Sequence, residues 1–106
     1  MGGHMRPRLE IISEAVAGCR GLVAALDAES KDRMKVAASL ELSSADASEE
    51  TDDVVLTDVL LSLVEDLAYY DADPTPGEAA ELIDDDDLRA RIQAALARLE
   101  KLASEP

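Results

Sequence analysis

Residues 84–106 read DDDDLRARIQAALARLEKLASEP, and how this segment folds decides how the rest of the chain is understood. Its apolar positions Leu88, Ile92, Ala95, Leu99 and Leu102 are spaced 4, 3, 4 and 3, the alternation of a narrow coiled-coil seam rather than a broad globular face. With Ile92 and Leu99 at a, the residues Leu88, Ala95 and Leu102 fall at d, Arg91 and Arg98 at g, and Arg89 and Leu96 at e. The aspartates at the start and Lys101 near the end complement the helix dipole. Two heptads form only a marginal helix alone in water, so the segment requires a partner helix, from this chain or from another copy. A plain bundle helix is the alternative to an interchain seam.

Working back from that segment, helices account for almost everything else. The 106-residue chain is 47% hydrophobic, but Ala, Leu, Val and Ile supply nearly all of it, with no Phe or Trp and only Tyr69 and Tyr70 as aromatics. Small aliphatic side chains suit closely packed helices, and no period-2 run demands a sheet. The expected fold is all-α, a small dimeric bundle of four to five helices with a short coiled-coil helix at its C-terminus.

The predicted organisation runs as follows. Residues 1–5, MGGHM, read as a cloning scar, which takes His4, the sole histidine, out of any metal or acid–base argument. Residues 6–42 form a helical pair: a first helix from Pro7 to Asp27 with Leu9, Ile12, Val16, Leu22, Val23 and Leu26 as its apolar surface, and a second from Ser30, its cap, to Leu42. Gly18 and Gly21 inside the first helix either bend it or admit a close neighbour. Residues 43–53, SSADASEETDD, read as an acidic linker. Residues 51–71 form the most apolar helix, whose apolar arc is wide enough to be covered on two sides, either centrally in a bundle or partly by a partner. The segment 72–106 begins in a Pro/Gly breaker, takes a helical turn from Thr75 with Pro76 first, and ends in the terminal helix.

A formal charge of −14, from 24 acidic against 10 basic residues, disfavours nucleic acid and anionic membranes as partners. Cys19, the only cysteine, has no disulfide partner and no histidine to activate it, so it reads as a small core residue. No apolar run is long enough to span a membrane and no secretory leader is visible, so a cytoplasmic location is expected. The pairs Glu50/Asp53 and Glu78/Glu81 have the spacing of a Mg²⁺-binding carboxylate set but sit in or beside predicted loops. The Asp84–Asp87 run lacks the glycine and distal glutamate of a calcium loop, and helix capping explains it better. No catalytic, cofactor or metal site is expected.

The run LRARIQAALARLEKLASEP resembles the helical docking segment that precedes the ketosynthase of a modular polyketide synthase subunit, with Glu105-Pro106 at the domain junction. The resemblance covers about the last twenty residues. It implies a small, helical, non-catalytic and dimeric module that pairs with the docking segment of a neighbouring synthase subunit. In that reading the seam is Leu88, Ile92, Ala95, Leu99 and Leu102, and Arg89, Arg91, Arg98 and Lys101 are basic docking charges. The 51–71 helix offers Asp58, Glu65 and Asp66, with Val59, Leu60, Leu63 and Leu67 as the apolar partner face, within the same molecule or across two. The competing reading is an acidic immunity protein, antitoxin or nucleic-acid mimic that covers a basic protein site, with the Tyr69-Tyr70 pair exposed as an anchor.

Overall fold

The computed structural model describes residues 6–70 and 82–105, and among these the chain forms four helices and no strand: α1 (Arg8–Asp27), α2 (Arg33–Ser48), α3 (Val54–Ala68) and α4 (Asp85–Ser104). Each helix packs on two neighbours, α1 on α2 and α4, and α3 on α2 and α4. Cross-helix ion pairs fix the directions. Arg6 at the start of α1 reaches Glu50 past the end of α2, Arg89 at the start of α4 reaches Asp27 at the end of α1, and Arg98 and Arg91 of α4 reach Asp58 and Asp66 of α3. Successive helices therefore run antiparallel, giving an up-and-down four-helix bundle with extents of 45 × 28 × 20 Å.

The helix ends follow local chemistry. Pro7 begins α1, where its missing N–H costs nothing and its carbonyl accepts from Glu10 and Ile11. The helix closes in a Schellman motif: Ser30 N–H donates to the Ala25 carbonyl and Glu29 N–H to that of Leu26. Glu29 sits at the left-handed position with φ 51°, where glycine is the usual residue and a side chain is strained by about 1 kcal/mol or more. Ser30 does not cap α2. Its hydroxyl accepts from the Asp32 N–H within the turn, and Asp32 precedes the helix without a side-chain cap.

Helix α2 runs to Ser48, six residues into the stretch expected to be linker, leaving only residues 49–53 as the connection. Polar composition concealed the pattern there. Ser44 and Ala47 continue the buried row begun by Ala37 and Leu40, spaced at 3 and 4, while Ser43 and Ser48 return their hydroxyls to the carbonyls of Leu40 and Ala45. The Ser44 hydroxyl is buried without a hydrogen-bond partner. Gly18 is a close-approach glycine: a Cβ there would lie 2.7 Å from Leu40 Cδ1, whereas one at Gly21 would meet nothing within 4 Å.

Asp53 caps α3, accepting from the Leu56 N–H at 2.9 Å, and its other oxygen takes the Arg8 guanidinium at 2.8 Å. The Leu56 N–H, with Arg8 behind it and partial burial opposing, holds the Asp53 carboxyl below its usual range. A carboxyl depressed in the folded state contributes stability that is complete above its unfolded pKa of about 3.9 and disappears as pH falls through the lower folded value. Asp53→Ala should therefore cost about 1 kcal/mol at pH 7 through the lost cap. In urea titrations the gap between wild type and variant should narrow below about pH 4; a gap independent of pH would contradict the ionised cap.

The segment between α3 and α4 is pinned at both ends. Ile83 N–H donates to the Tyr69 carbonyl at 2.8 Å, and Tyr70 and Ile83 form an isolated parallel bridge. The Tyr70 hydroxyl donates to Asp85 Oδ1 at 2.6 Å, and Arg33 Nε holds Asp85 Oδ2 at 3.1 Å, so one carboxylate ties the ends of α3 and α4 to the start of α2. Burial, reinforced by Asp85, pushes the Tyr70 phenol well above its usual pKa. The expected turn at Thr75 and Pro76 lies outside the described residues.

Candidate interaction surfaces

The terminal seam is closed within the chain. Leu88, Ile92 and Leu99 are fully buried, Leu102 is buried, and Ala95 packs half-buried against the same core, as does Leu96. The side chains that cover the seam come from α1 and α3. On α1 the buried row is Ile12, Ala15, Cys19, Leu22 and Leu26, spaced 3, 4, 3 and 4, the complement of the row on α4. Of the two coverings open to this segment, a helix of the same chain and a helix of another copy, the packing is the first, and a second copy would have to displace α1 or α3 to reach the seam. Periodicity specified a narrow buried stripe, but it carried no information on whose helix buries it.

The α1 row was legible in principle from the same 3–4 alternation. Its small members Ala15 and Cys19 hid it, and Leu9, expected on that face, is 60% exposed. Cys19 is fully buried, and burial pushes its thiol up to about 12, which suits a packing residue.

Two pairs of the predicted docking charges meet, and they meet inside one molecule. Arg91 donates to Asp66 at 2.8 Å and Arg98 to Asp58 at 3.0 Å, flanking the apolar face of Val59, Leu60, Leu63 and Leu67, all buried. Arg89 turns away from α3, to Asp27 of α1 and to Asp86 of its own first turn. Lys101 and Glu65 are exposed, and neither takes part in an ion pair among the described residues. These exposed pairs orient helices more than they stabilise them, at about 0–1 kcal/mol each.

The carboxylates weighed as metal ligands have other partners. Glu50 pairs with Arg6 and Asp53 caps α3, while Glu78 and Glu81 lie outside the described residues. In the aspartate run, Asp84 caps α4 by accepting from the Asp87 N–H, Asp85 holds Tyr70 and Arg33, and Asp86 holds Arg89.

What remains on the surface is strongly one-sided. All seven arginines are held in ion pairs with acidic side chains of the same chain. From Val36 to Leu88 the sequence contains no lysine or arginine but seventeen acidic residues, so most of α2 and all of α3 present carboxylates with no cation of their own. The large apolar side chains left exposed include Leu42 at 70%, Val54 at 81%, Val55, Leu61 and Tyr69 on these two helices, with Leu9 on α1. Leu42, the last residue of the expected second helix, thus faces outward. The tyrosine pair divides, with Tyr70 buried and Tyr69 exposed. Two shallow grooves border the end of α4, one lined by Leu9, Val16 and Ala103, the other by Val55, Arg98 and Lys101.

No family model, curated protein or solved structure matches this chain. The class that the geometry defines is an acidic, up-and-down four-helix bundle. No helix among the described residues is long and apolar enough to cross a membrane.

Proposed function

We propose that this chain is a non-catalytic docking module, and that it joins neighbouring subunits of a modular polyketide synthase. The observation that carries the general reading is the surface left after the bundle closes: large aliphatic side chains of α2 and α3 stand exposed within a stretch, Val36 to Leu88, that has seventeen acidic residues and no lysine or arginine. Exposed apolar side chains set among charged ones along a helix provide the elements of a protein–protein contact site. The synthase assignment rests on the resemblance of residues 88–106 to a pre-ketosynthase docking helix. Two copies would associate through a surface other than the α4 seam, which serves the fold.

Titration calorimetry of the chain against the C-terminal segments of carrier-protein-terminated synthase subunits tests this. Saturable binding of one segment and not of its paralogues is expected, and failure to bind any of them would remove the synthase assignment. A second reading, an acidic immunity protein, antitoxin or nucleic-acid mimic, is favoured by the cation-free stretch from Val36 to Leu88. It predicts affinity dominated by charge, falling by about 10³-fold or more between 50 and 200 mM salt as nucleic-acid contacts do. A docking module retains most of its apolar contribution over that range.

A further inference from the structure

We infer that the outward ridge of α3, from Val54 to Tyr69, is the docking face, and that its occupant is a basic amphipathic helix of another protein. This rests on the docking reading and adds to it the surface and the chemistry of the partner. The inward face of α3 is fully used: Leu56, Leu60, Leu63 and Leu67 are buried in the core, and Val59 and Asp66 turn toward α4. On the opposite side Val54, Leu61 and Ala68 recur every seven residues, which places them in one stripe along the helix. Val54 is 81% exposed, Leu61 50% and the adjoining Tyr69 54%. Asp58 and Glu65, also seven apart, run beside this stripe, so the ridge repeats an apolar and an acidic position once per heptad.

Such a ridge, roughly 22 Å long, has the dimensions and periodicity of a helix-packing surface. Its charge selects the occupant. The whole of α3 lacks a basic residue, Asp52 stands just ahead of it, and α2, packed against it, adds Glu41 and Asp46, with Glu49 directly after α2. Only Asp58 of the ridge is paired, with Arg98, and that pair is exposed on both sides. A second copy would bring the same row of carboxylates against this one, and like charges opposed across a helix pair are destabilising. A partner helix with aliphatic residues at heptad spacing and Lys or Arg beside them satisfies both features, the apolar stripe supplying affinity and the charges register and selectivity.

The test uses the isotope-labelled full chain titrated with two synthetic helical peptides that share one leucine heptad, one flanked by lysine and arginine and the other by glutamate. The basic peptide should shift the amides of residues 54–69 saturably. Leu61→Arg should weaken it by about tenfold or more, Glu65→Lys should weaken it less, and Leu9→Arg should leave it unchanged. Both ridge positions are exposed, so thermal midpoints near wild type establish that the variants fold. The assignment is overturned if the basic peptide does not bind, if it maps to the Leu9 or Leu42 surfaces, if folded Leu61→Arg binds as wild type, or if the acidic peptide binds equally well. If synthase segments bind the chain but map elsewhere, the docking reading stands and the ridge assignment falls.

Discussion

Ile92→Asp should leave the protein unfolded at 25 °C. Ile92 is 0% exposed in the middle of α4, enclosed by the rows of α1 and α3, so a carboxylate there loses both the apolar burial and its hydration. Placing an unpaired charge in such a site, together with the lost aliphatic packing, costs about 5 kcal/mol or more, comparable with the whole stability of a domain this size. The same substitution at Leu61, on the exposed ridge of α3, should change stability by no more than about 0.5 kcal/mol. Circular dichroism and urea titration read both. Native helicity in Ile92→Asp would contradict the buried placement of the seam, and unfolding of Leu61→Asp would contradict the exposure of the ridge.

Cys19 should resist thiol reagents until the bundle opens. It is fully buried in the α1 row that faces the bundle core, and burial raises its thiol to about 12, so at pH 8 the native state presents almost no thiolate and no access to it. The unfolded chain has an ordinary thiol with a pKa of about 8.5. Modification of native protein must then pass through unfolding, and its rate should be about 10³-fold or more below that of denatured protein. In Ile92→Asp, Cys19 should react at the denatured rate. Native labelling within about tenfold of the denatured rate would show that α1 and α4 part far more easily than their packing requires.

Much of this architecture was legible in the sequence because local chemistry and periodicity agreed. Pro7 marked the start of α1, Asp84 the cap of α4, and the 4, 3, 4, 3 spacing of Leu88 to Leu102 marked a stripe that is buried. The end of α2 was not legible, because Ser43, Ser44 and Ser48 have the composition of a loop while their hydroxyls or positions serve a helix. Nor was the partner of the α4 seam. A stripe of side chains specifies that something covers it, and the matching α1 row contains Ala15 and Cys19, too small to stand out as a seam. The charges behaved similarly: Arg89, Arg91, Arg98 and Lys101 stood out as one docking group and Asp58, Glu65 and Asp66 as the other, but only the antiparallel packing of α3 on α4 pairs Arg91 with Asp66 and Arg98 with Asp58. The outward ridge of α3 was visible only as surplus, an apolar arc too wide for one neighbour, which the structure divides into a buried side and the exposed Val54, Leu61 and Tyr69.

In this fold α4 completes its own bundle, which leaves the α3 ridge rather than the α4 seam open to other molecules. Urea unfolding followed across about a hundredfold range of protein concentration tests it most directly, because a fold that needs a second chain gains stability by mass action and an autonomous one does not. A single cooperative transition with the same midpoint at every concentration is the predicted result. A midpoint that rises with concentration together with helicity that is lost on dilution would contradict it and would place the seam of Leu88, Ile92, Ala95, Leu99 and Leu102 between two chains, because folded chains that associate elsewhere keep their helices when they separate.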